Sequence, residues 1–239
     1  MFLLLSILSA AVVVPSVLLA STQERMVGVE VGDWVKYGDF IAFWDSTDPS
    51  VQPSAGFLEA NETEWSINTV QDVAGNRITF QTVNHFKNET ETTIAAYIDI
   101  ATGAGNGTYM FVSSGLTAGD QVYGSDEYQG TRMNETISRT YSGVTRETNY
   151  MNLTVPMEAE YGWVLEFIWD RETGILTEWM LEEIFASQNL TATSIVSFRL
   201  VDTNIWTAEQ AAPPLLIFAL VSVVLVLTLF FSWRLRAKK

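Results

Sequence analysis

The chain has 239 residues, with 28 acidic side chains, 13 basic ones, one histidine and no cysteine. The missing cysteines exclude a disulfide framework, thiolate metal sites and cysteine nucleophiles. The net charge of −15 argues against a nucleic-acid partner, because phosphate binding needs clustered Lys and Arg.

The first 22 residues carry no charged side chain. This apolar run predicts a secretory signal peptide over residues 1–21. No Lys or Arg precedes the run, however, and Leu18 is large for the position three residues before the expected cleavage point. An uncleaved N-terminal anchor is therefore the alternative.

A second apolar segment, residues 215–233, predicts one transmembrane helix. Its 19 uncharged residues would span about 28 Å as a helix, close to the bilayer core of about 30 Å. A short linker, residues 208–214, precedes it, and a basic tail, residues 234–239, follows it. Basic residues favour the cytoplasmic side, so the pattern predicts a single-pass protein of the cell membrane with its C-terminus in the cytoplasm.

The region between these segments, residues 22–207, is predicted to form one extracellular domain. Between the two apolar ends lie nine of the bases and all 28 acids, a formal charge of −19. Six Asn-x-Thr sequons predict a glycoprotein: Asn61, Asn88, Asn106, Asn134, Asn152 and Asn189. An extracellular domain without cysteine is typical of an archaeal rather than an animal surface.

Within this domain, apolar residues alternate at period two, which predicts strands. Trp163, Leu165, Phe167 and Trp169 share one parity. The turn sequence of residues 170–174 follows, and the next run resumes the alternation, so the two runs predict a hairpin.

About ten such runs predict a mainly β fold, an antiparallel meander curled into a half-barrel or a barrel, or split as a sandwich. Helix is predicted only at Leu181–Ser187 and near Ser113–Gly119, apart from the membrane segment. The Pro-containing stretch Asp45–Glu59 predicts a loop.

Four segments of the chain resemble archaeal secreted or single-pass cell-surface β proteins of unknown function. They are Gly32-Asp-Trp-Val-Lys-Tyr37, Asn134-Glu-Thr-Ile-Ser-Arg-Thr-Tyr141, Arg146-Glu-Thr-Asn-Tyr150 and Trp169-Asp-Arg-Glu-Thr-Gly-Ile-Leu176. The last segment, a hairpin, is also similar to one in the half-barrel proteins that carry lipids or lipoproteins in bacterial envelopes. These resemblances imply a β domain and, from the second, a lipid pocket, but no catalytic residue.

Catalytic patterns are scarce. His85 is the only histidine, no Gly-x-Ser-x-Gly sequence is present, and no cofactor-binding motif is found, so no cofactor is predicted. A glycan-acting enzyme with paired carboxylates is the least favoured function, because 28 acids supply some pair at any spacing. Calcium remains an alternative, with Asp120, Asp126 and Glu127 as candidate ligands.

The aromatic side chains are the remaining candidates for a site. Trp163, Phe167, Trp169 and Trp179 would share one sheet face if the predicted hairpin closes symmetrically. Such a face is either core or, in an open half-barrel, the lining of a pocket for a lipid or a glycan.

Taken together, the patterns predict a non-enzymatic, glycosylated type I membrane protein. Its expected role is structural, or in interaction with envelope proteins or glycans. The alternative is a half-barrel that binds a lipid or another apolar ligand on the tryptophan face.

Overall fold

The computed structural model of the protein describes residues 24–125, 130–158, 161–186 and 191–207. These residues form nine strands and one short helix. In chain order they are β1 (Trp34–Ser46), α1 (Ala55–Glu62), β2 (Thr63–Ala74), β3 (Arg77–Phe86), β4 (Glu91–Asp99), β5 (Glu135–Tyr141), β6 (Val144–Glu158), β7 (Tyr161–Asp170), β8 (Leu176–Ala186) and β9 (Thr191–Thr203).

All nine strands belong to one antiparallel sheet in the order β4-β3-β2-β1-β9-β8-β7-β6-β5. Strands β1 to β4 and β5 to β9 form two meanders, which the long-range pairing of β1 with β9 joins. The edge strands β4 and β5 do not pair with each other. The described residues therefore form a single open sheet, so among the predicted alternatives neither the closed barrel nor the two-sheet sandwich is observed.

One face of the sheet, here called the inner face, carries the main hydrophobic core. The face follows the period-two alternation that the sequence shows. Val35 of β1, Val70 of β2, Phe80 of β3 and Trp169 of β7 are all at least 98% buried there.

The β7–β8 turn shows how local sequence sets a hairpin. The buried carboxylate of Asp170 accepts hydrogen bonds from the backbone N–H and the hydroxyl of Thr173, both at 2.8 Å. Gly174 has φ +73°, and a Cβ there would lie 2.0 Å from the carbonyl oxygen of Val112. Only glycine fits this position, and the hairpin predicted from residues 170–174 is confirmed.

A long irregular segment between the edge strands, residues 100–134, packs into part of the inner face. The structure describes it except for residues 126–129, and we call it the covering segment. Phe111, Leu116 and Tyr123 of this segment are fully or almost fully buried. They pack on one half of the inner face and complete its hydrophobic core.

Three local predictions were wrong. Residues 181–186 belong to β8 rather than to a helix, because they pair with strands on both sides. The predicted loop Asp45–Glu59 contains the end of β1 and the start of α1, which Ser54 caps by accepting a hydrogen bond from the backbone N–H of Phe57. Ser113–Gly119 is irregular rather than helical.

The predicted signal segment 1–21, linker 208–214, membrane segment 215–233 and tail 234–239 lie outside the described residues. In the part of the chain that the structure describes, no helix is long and apolar enough to cross a bilayer.

Candidate functional site

The half of the inner face that the covering segment leaves open contains a cavity of about 390 Å³. Helix α1 and the preceding Ser54 lie over it, and strands β1, β2, β3, β8 and β9 form its walls. Most of the lining is apolar, and the apolar side chains are Tyr37, Phe40, Phe57, Ala60, Met110, Trp179, Leu181, Val196 and Phe198.

One side of the cavity is an aromatic wall, formed by Tyr37, Phe40, Trp179 and Phe198. Trp179 of β8 is the direct cross-strand partner of Phe198 of β9. Their rings stack with centroids 5.4 Å apart. Tyr37 and Phe40 contact the same Phe198 ring at 5.1 and 5.4 Å, so one phenylalanine holds the wall together.

A β-bulge in β1 places both Tyr37 and Phe40 in the cavity. Residues three apart in a regular strand point to opposite faces. Between Gly38 and Ile41, however, the register of β1 against β9 shifts, and Asp39 adopts φ +50°. The extra residue brings Phe40 back to the inner face, which no simple alternation in the sequence could predict.

The opposite side is a polar wall of four residues on β2 and β3: Ser66, Asn68, Thr82 and Asn84. They form two direct cross-strand pairs. Ser66 Oγ donates to Asn84 Oδ1 at 2.8 Å, and Thr82 Oγ1 donates to Asn68 Oδ1 at 2.7 Å. The wall is uncharged and its side chains are already ordered by one another.

Tyr37 joins the two walls as a neutral hydrogen-bonding group. Its hydroxyl donates to the backbone carbonyl of Leu176 at 2.8 Å. Burial raises the pKa of Tyr37 far above its ordinary value, and a hydrogen bond with Asn68 acts weakly in the opposite direction. The phenol therefore stays protonated and can only donate or accept a hydrogen bond as a neutral group.

Helix α1 covers the cavity and packs on the sheet through one buried side chain. Phe57 is its buried residue and contacts Trp44 of β1, with ring centroids 6.2 Å apart. The hydroxyl of Thr63 donates to the carbonyl of Glu59 at 2.8 Å and ends the helix. With only eight residues, α1 has little intrinsic stability and depends on this packing.

A smaller cavity of about 260 Å³ adjoins the first and shares Ser54 and Glu183 with it. Trp44, Tyr161 and Phe185 line its apolar part. The Tyr161 hydroxyl donates to Glu183 Oε1 at 2.6 Å, and this hydrogen bond is the main cause that raises the pKa of Tyr161 to about 12. The two cavities therefore lie side by side, with Ser54 and Glu183 at their shared boundary.

The four aromatic residues predicted as a ligand site share the inner face but have different surroundings. Trp179 lines the cavity. Phe167 and Trp169 are core residues, stacked 5.3 Å apart beneath Tyr109 of the covering segment. Trp163 is half-buried on β7, opposite Glu183 of β8.

Sequence reasoning missed most of the lining, above all Tyr37, Phe40 and Phe198. Phe40 faces inward only because of the bulge, which the alternation does not show. The sequence also carries no signal for which part of the inner face the covering segment fills.

The candidate calcium ligands are only partly described. Asp120 accepts hydrogen bonds from the backbone N–H and hydroxyl of Thr117, at 2.8 and 3.0 Å, and so closes a turn. Asp126 and Glu127 lie outside the described residues. Among the described side chains no group of three carboxylates or histidines could hold a metal ion, and the calcium site stays a prediction.

The glycosylation sequons differ in their surroundings. Asn88 and Asn134 are exposed, and within the described residues their Nδ2 atoms donate to no protein acceptor. By contrast, Nδ2 of Asn106 donates to the Ala95 carbonyl at 3.3 Å. Nδ2 atoms also donate at Asn61, to Glu62, and at Asn152, to Glu166. Asn189 lies outside the described residues. A glycan on Nδ2 of Asn88 or Asn134 would therefore break no hydrogen bond that the structure shows.

No protein-family model matches the chain, and the curated proteins contain no sequence similar to it. The cavity itself is therefore the basis for a functional argument.

Proposed function

We propose that this protein binds a ligand with a hydrocarbon chain, a lipid, in the cavity beneath α1. The observation that carries the proposal is the size and lining of that cavity, about 390 Å³ bounded by an aromatic wall and aliphatic side chains. Ligand sites in proteins fall at about 300–1,000 Å³ and are mostly apolar with a few placed polar groups.

The space is open to solvent on one side, so it is a binding groove in form rather than a void in the core. An apolar cavity of about 150 Å³ is already enough to hold benzene, and the space here is more than twice as large. Two other grooves among the described residues are larger, about 430 and 460 Å³, but each has four charged side chains in its lining. The lining, rather than the volume alone, therefore favours an apolar occupant here.

The shape and chemistry favour a chain over a compact polar ligand. The adjoining cavity of about 260 Å³ has further apolar side chains, Trp44 and Phe185, in its lining beyond Glu183. Carbohydrate or nucleotide recognition would need many directed polar groups. Outside the polar wall, the polar side chains of the lining are Ser54, Thr63, Glu59 and Glu183, with the Tyr37 hydroxyl already bonded to Leu176. A flexible hydrocarbon chain can follow the apolar path.

The proposed setting is the outer surface of a cell membrane, from the apolar segments 1–21 and 215–233. There the domain would hold its ligand beside the bilayer, the source of hydrocarbon chains. We propose a binding role without catalysis; the structural or interaction role in the envelope remains a separate prediction.

Photo-crosslinking of the membrane-embedded full chain tests the proposal. The probe is a dodecanol that carries a diazirine in its chain. We expect crosslinks on peptides that contain Trp179, Phe198 or Leu181. A Val196→Phe variant, which places a ring in the cavity, should abolish them.

Ile195→Phe is the matched control, because Ile195 is the neighbouring residue on the opposite face of β9. A second blocking variant, Leu181→Phe, distinguishes a filled cavity from a folding defect in Val196→Phe. Crosslinks that spread evenly over the domain, or that persist in both blocking variants, would refute lipid binding in this cavity.

A further inference from the structure

The polar wall of the cavity has hydrogen-bonding capacity that the protein does not use. Asn84 Oδ1 accepts from Ser66, but in the described part of the chain the Asn84 Nδ2 group, on the cavity lining, donates to no protein atom. The hydroxyl oxygens of Ser66 and Thr82 each donate one hydrogen bond and keep free lone pairs that can accept another. The wall therefore offers both a donor and acceptors.

Asn84 is half-buried, so water can reach its amide while the cavity holds no ligand. A hydrocarbon chain that fills the cavity would displace this water, and the amide would then be costly unless another group satisfies it. Neighbouring residues do not relieve this cost for Asn84, since Asn68 is already paired with Thr82 and with Tyr37. A ligand group that both accepts and donates would complete the wall. Hydroxyl and amide groups have this capacity, whereas a hydrocarbon alone does not.

The charges around the cavity exclude an anionic ligand group. Its lining includes Glu59 and Glu183 and no Lys, Arg or His. The two lysines of the described residues are engaged elsewhere: Lys36 stacks on the Trp65 ring at 4.7 Å, and Lys87 donates to the Asn61 carbonyl. A phosphate, sulfate or carboxylate would thus meet like charges and find no cation.

The polar wall is equally unsuited to a cation. Its four side chains carry no charge, and Glu59 and Glu183 of the lining belong to α1 and β8 rather than to the wall. Glu183 also accepts a hydrogen bond from the hydroxyl of Tyr161 at 2.6 Å. An ammonium that binds at the wall would therefore contact amide and hydroxyl groups and no charged group of the wall itself.

We infer that the ligand is a neutral amphiphile, a hydrocarbon chain with an uncharged hydroxyl or amide head group that hydrogen-bonds to Asn84, Ser66 and Thr82. This inference rests on the proposed function, because it assigns the chemical class of the ligand in the same cavity. It distinguishes this site from one that receives anionic phospholipids or free fatty acids.

Competition against the photoactivatable dodecanol probe, on the full chain in membranes, tests the inference. The competitors share one chain and differ in head group: dodecanol is neutral, dodecanesulfonate is permanently anionic and dodecyltrimethylammonium is permanently cationic. We expect dodecanol to suppress cavity crosslinking at concentrations at least about tenfold lower than either charged compound, which corresponds to about 1.4 kcal/mol.

Two pairs of variants locate the selectivity. Asn84→Ala should weaken competition by dodecanol about tenfold, while Gln81→Ala, an amide lost from the exposed face of the same strand, should leave it unchanged. Glu183→Gln should improve competition by dodecanesulfonate, and Glu182→Gln, the neighbouring carboxylate on the other face of β8, should not.

The outcomes separate the two proposals. Absence of cavity crosslinks with the probe refutes lipid binding altogether. Cavity crosslinks that dodecanesulfonate or dodecyltrimethylammonium suppresses as well as dodecanol does would overturn the neutral head group alone, as would dodecanol competition that Asn84→Ala leaves unchanged.

Discussion

The inner face of the sheet has a filled half and an open half, and the two differ in what lies over them. In the filled half, the covering segment contributes Phe111, Leu116 and Tyr123 to a hydrophobic core that reaches from Phe80 of β3 to Trp169 of β7. In the open half, α1 and one residue of the covering segment, Met110, line a cavity over the middle of β8 and the neighbouring parts of β1 and β9.

Trp169 and Trp179 make the contrast clear, since they belong to one hairpin and one face. Trp169 is fully buried, and its indole N–H donates to the Tyr109 carbonyl of the covering segment at 2.7 Å. Trp179 is half-buried and borders the cavity. Identical residue types on adjacent strands thus become core or cavity lining according to what packs over them.

The largest expected difference is between alanine substitutions of these two tryptophans. Trp169→Ala should lower the free energy of unfolding by about 3–5 kcal/mol, because it leaves a cavity in close-packed core and removes a hydrogen bond. Trp179→Ala should cost about 1–2 kcal/mol, because one side of that ring already lacks packed neighbours. Urea denaturation of the solubilised full chain, followed by circular dichroism, measures both values; equal losses would contradict the division of the inner face.

A pair of asparagines gives the next effect. Asn149 of β6 is buried, donates to the Leu116 carbonyl at 2.8 Å and accepts from the Thr136 hydroxyl at 2.8 Å. Asn149→Ala should therefore cost about 1–3 kcal/mol, the penalty for leaving buried partners unsatisfied. Asn84→Ala, beside the cavity, should cost no more than about 1 kcal/mol. The Ser66 hydroxyl loses its acceptor in this variant, but solvent can reach it and replace the hydrogen bond. The same denaturation experiment compares them, and a larger loss for Asn84→Ala would reverse the assignment.

The attachment of α1 predicts a smaller and more local effect. Ser54→Ala removes the N-cap of the helix and should cost about 1 kcal/mol. Because α1 lies over the open half only, hydrogen exchange should accelerate in residues 55–62 and stay unchanged in residues 109–116 of the covering segment. Exchange that rises equally in both segments would show that α1 and the core unfold as one unit.

The smallest effect concerns pH at the boundary of the two cavities. The hydrogen bond to Glu183 raises the pKa of Tyr161 from 10.0 to about 12. The folded state then holds its phenolic proton more tightly than the unfolded state, so this contribution is complete below pH 10 and is lost as the pH rises toward 12. Tyr161→Phe should make the alkaline fall in the thermal unfolding midpoint shallower than in the unsubstituted chain, and parallel curves would contradict the role of this hydrogen bond.

The strands were predictable because each needs only local information. The alternation around Trp163–Trp169 and the turn chemistry of Asp170, Thr173 and Gly174 specify a hairpin without reference to the remaining chain. The failures have a common cause. Leu181 to Ala186 lies in a strand because β7 and β9 pair with it on both sides, and Phe40 faces inward because of a bulge against β9.

Composition, charge and period-two alternation were thus sufficient to establish an acidic, cysteine-free, antiparallel β protein with an apolar aromatic face, since these properties depend on neighbours along the chain. Tertiary packing decided which part of that face is core and which part is cavity. The covering segment, the β1 bulge and helix α1 meet the face from distant sequence positions, and a contact between distant segments leaves no periodic signal in either one.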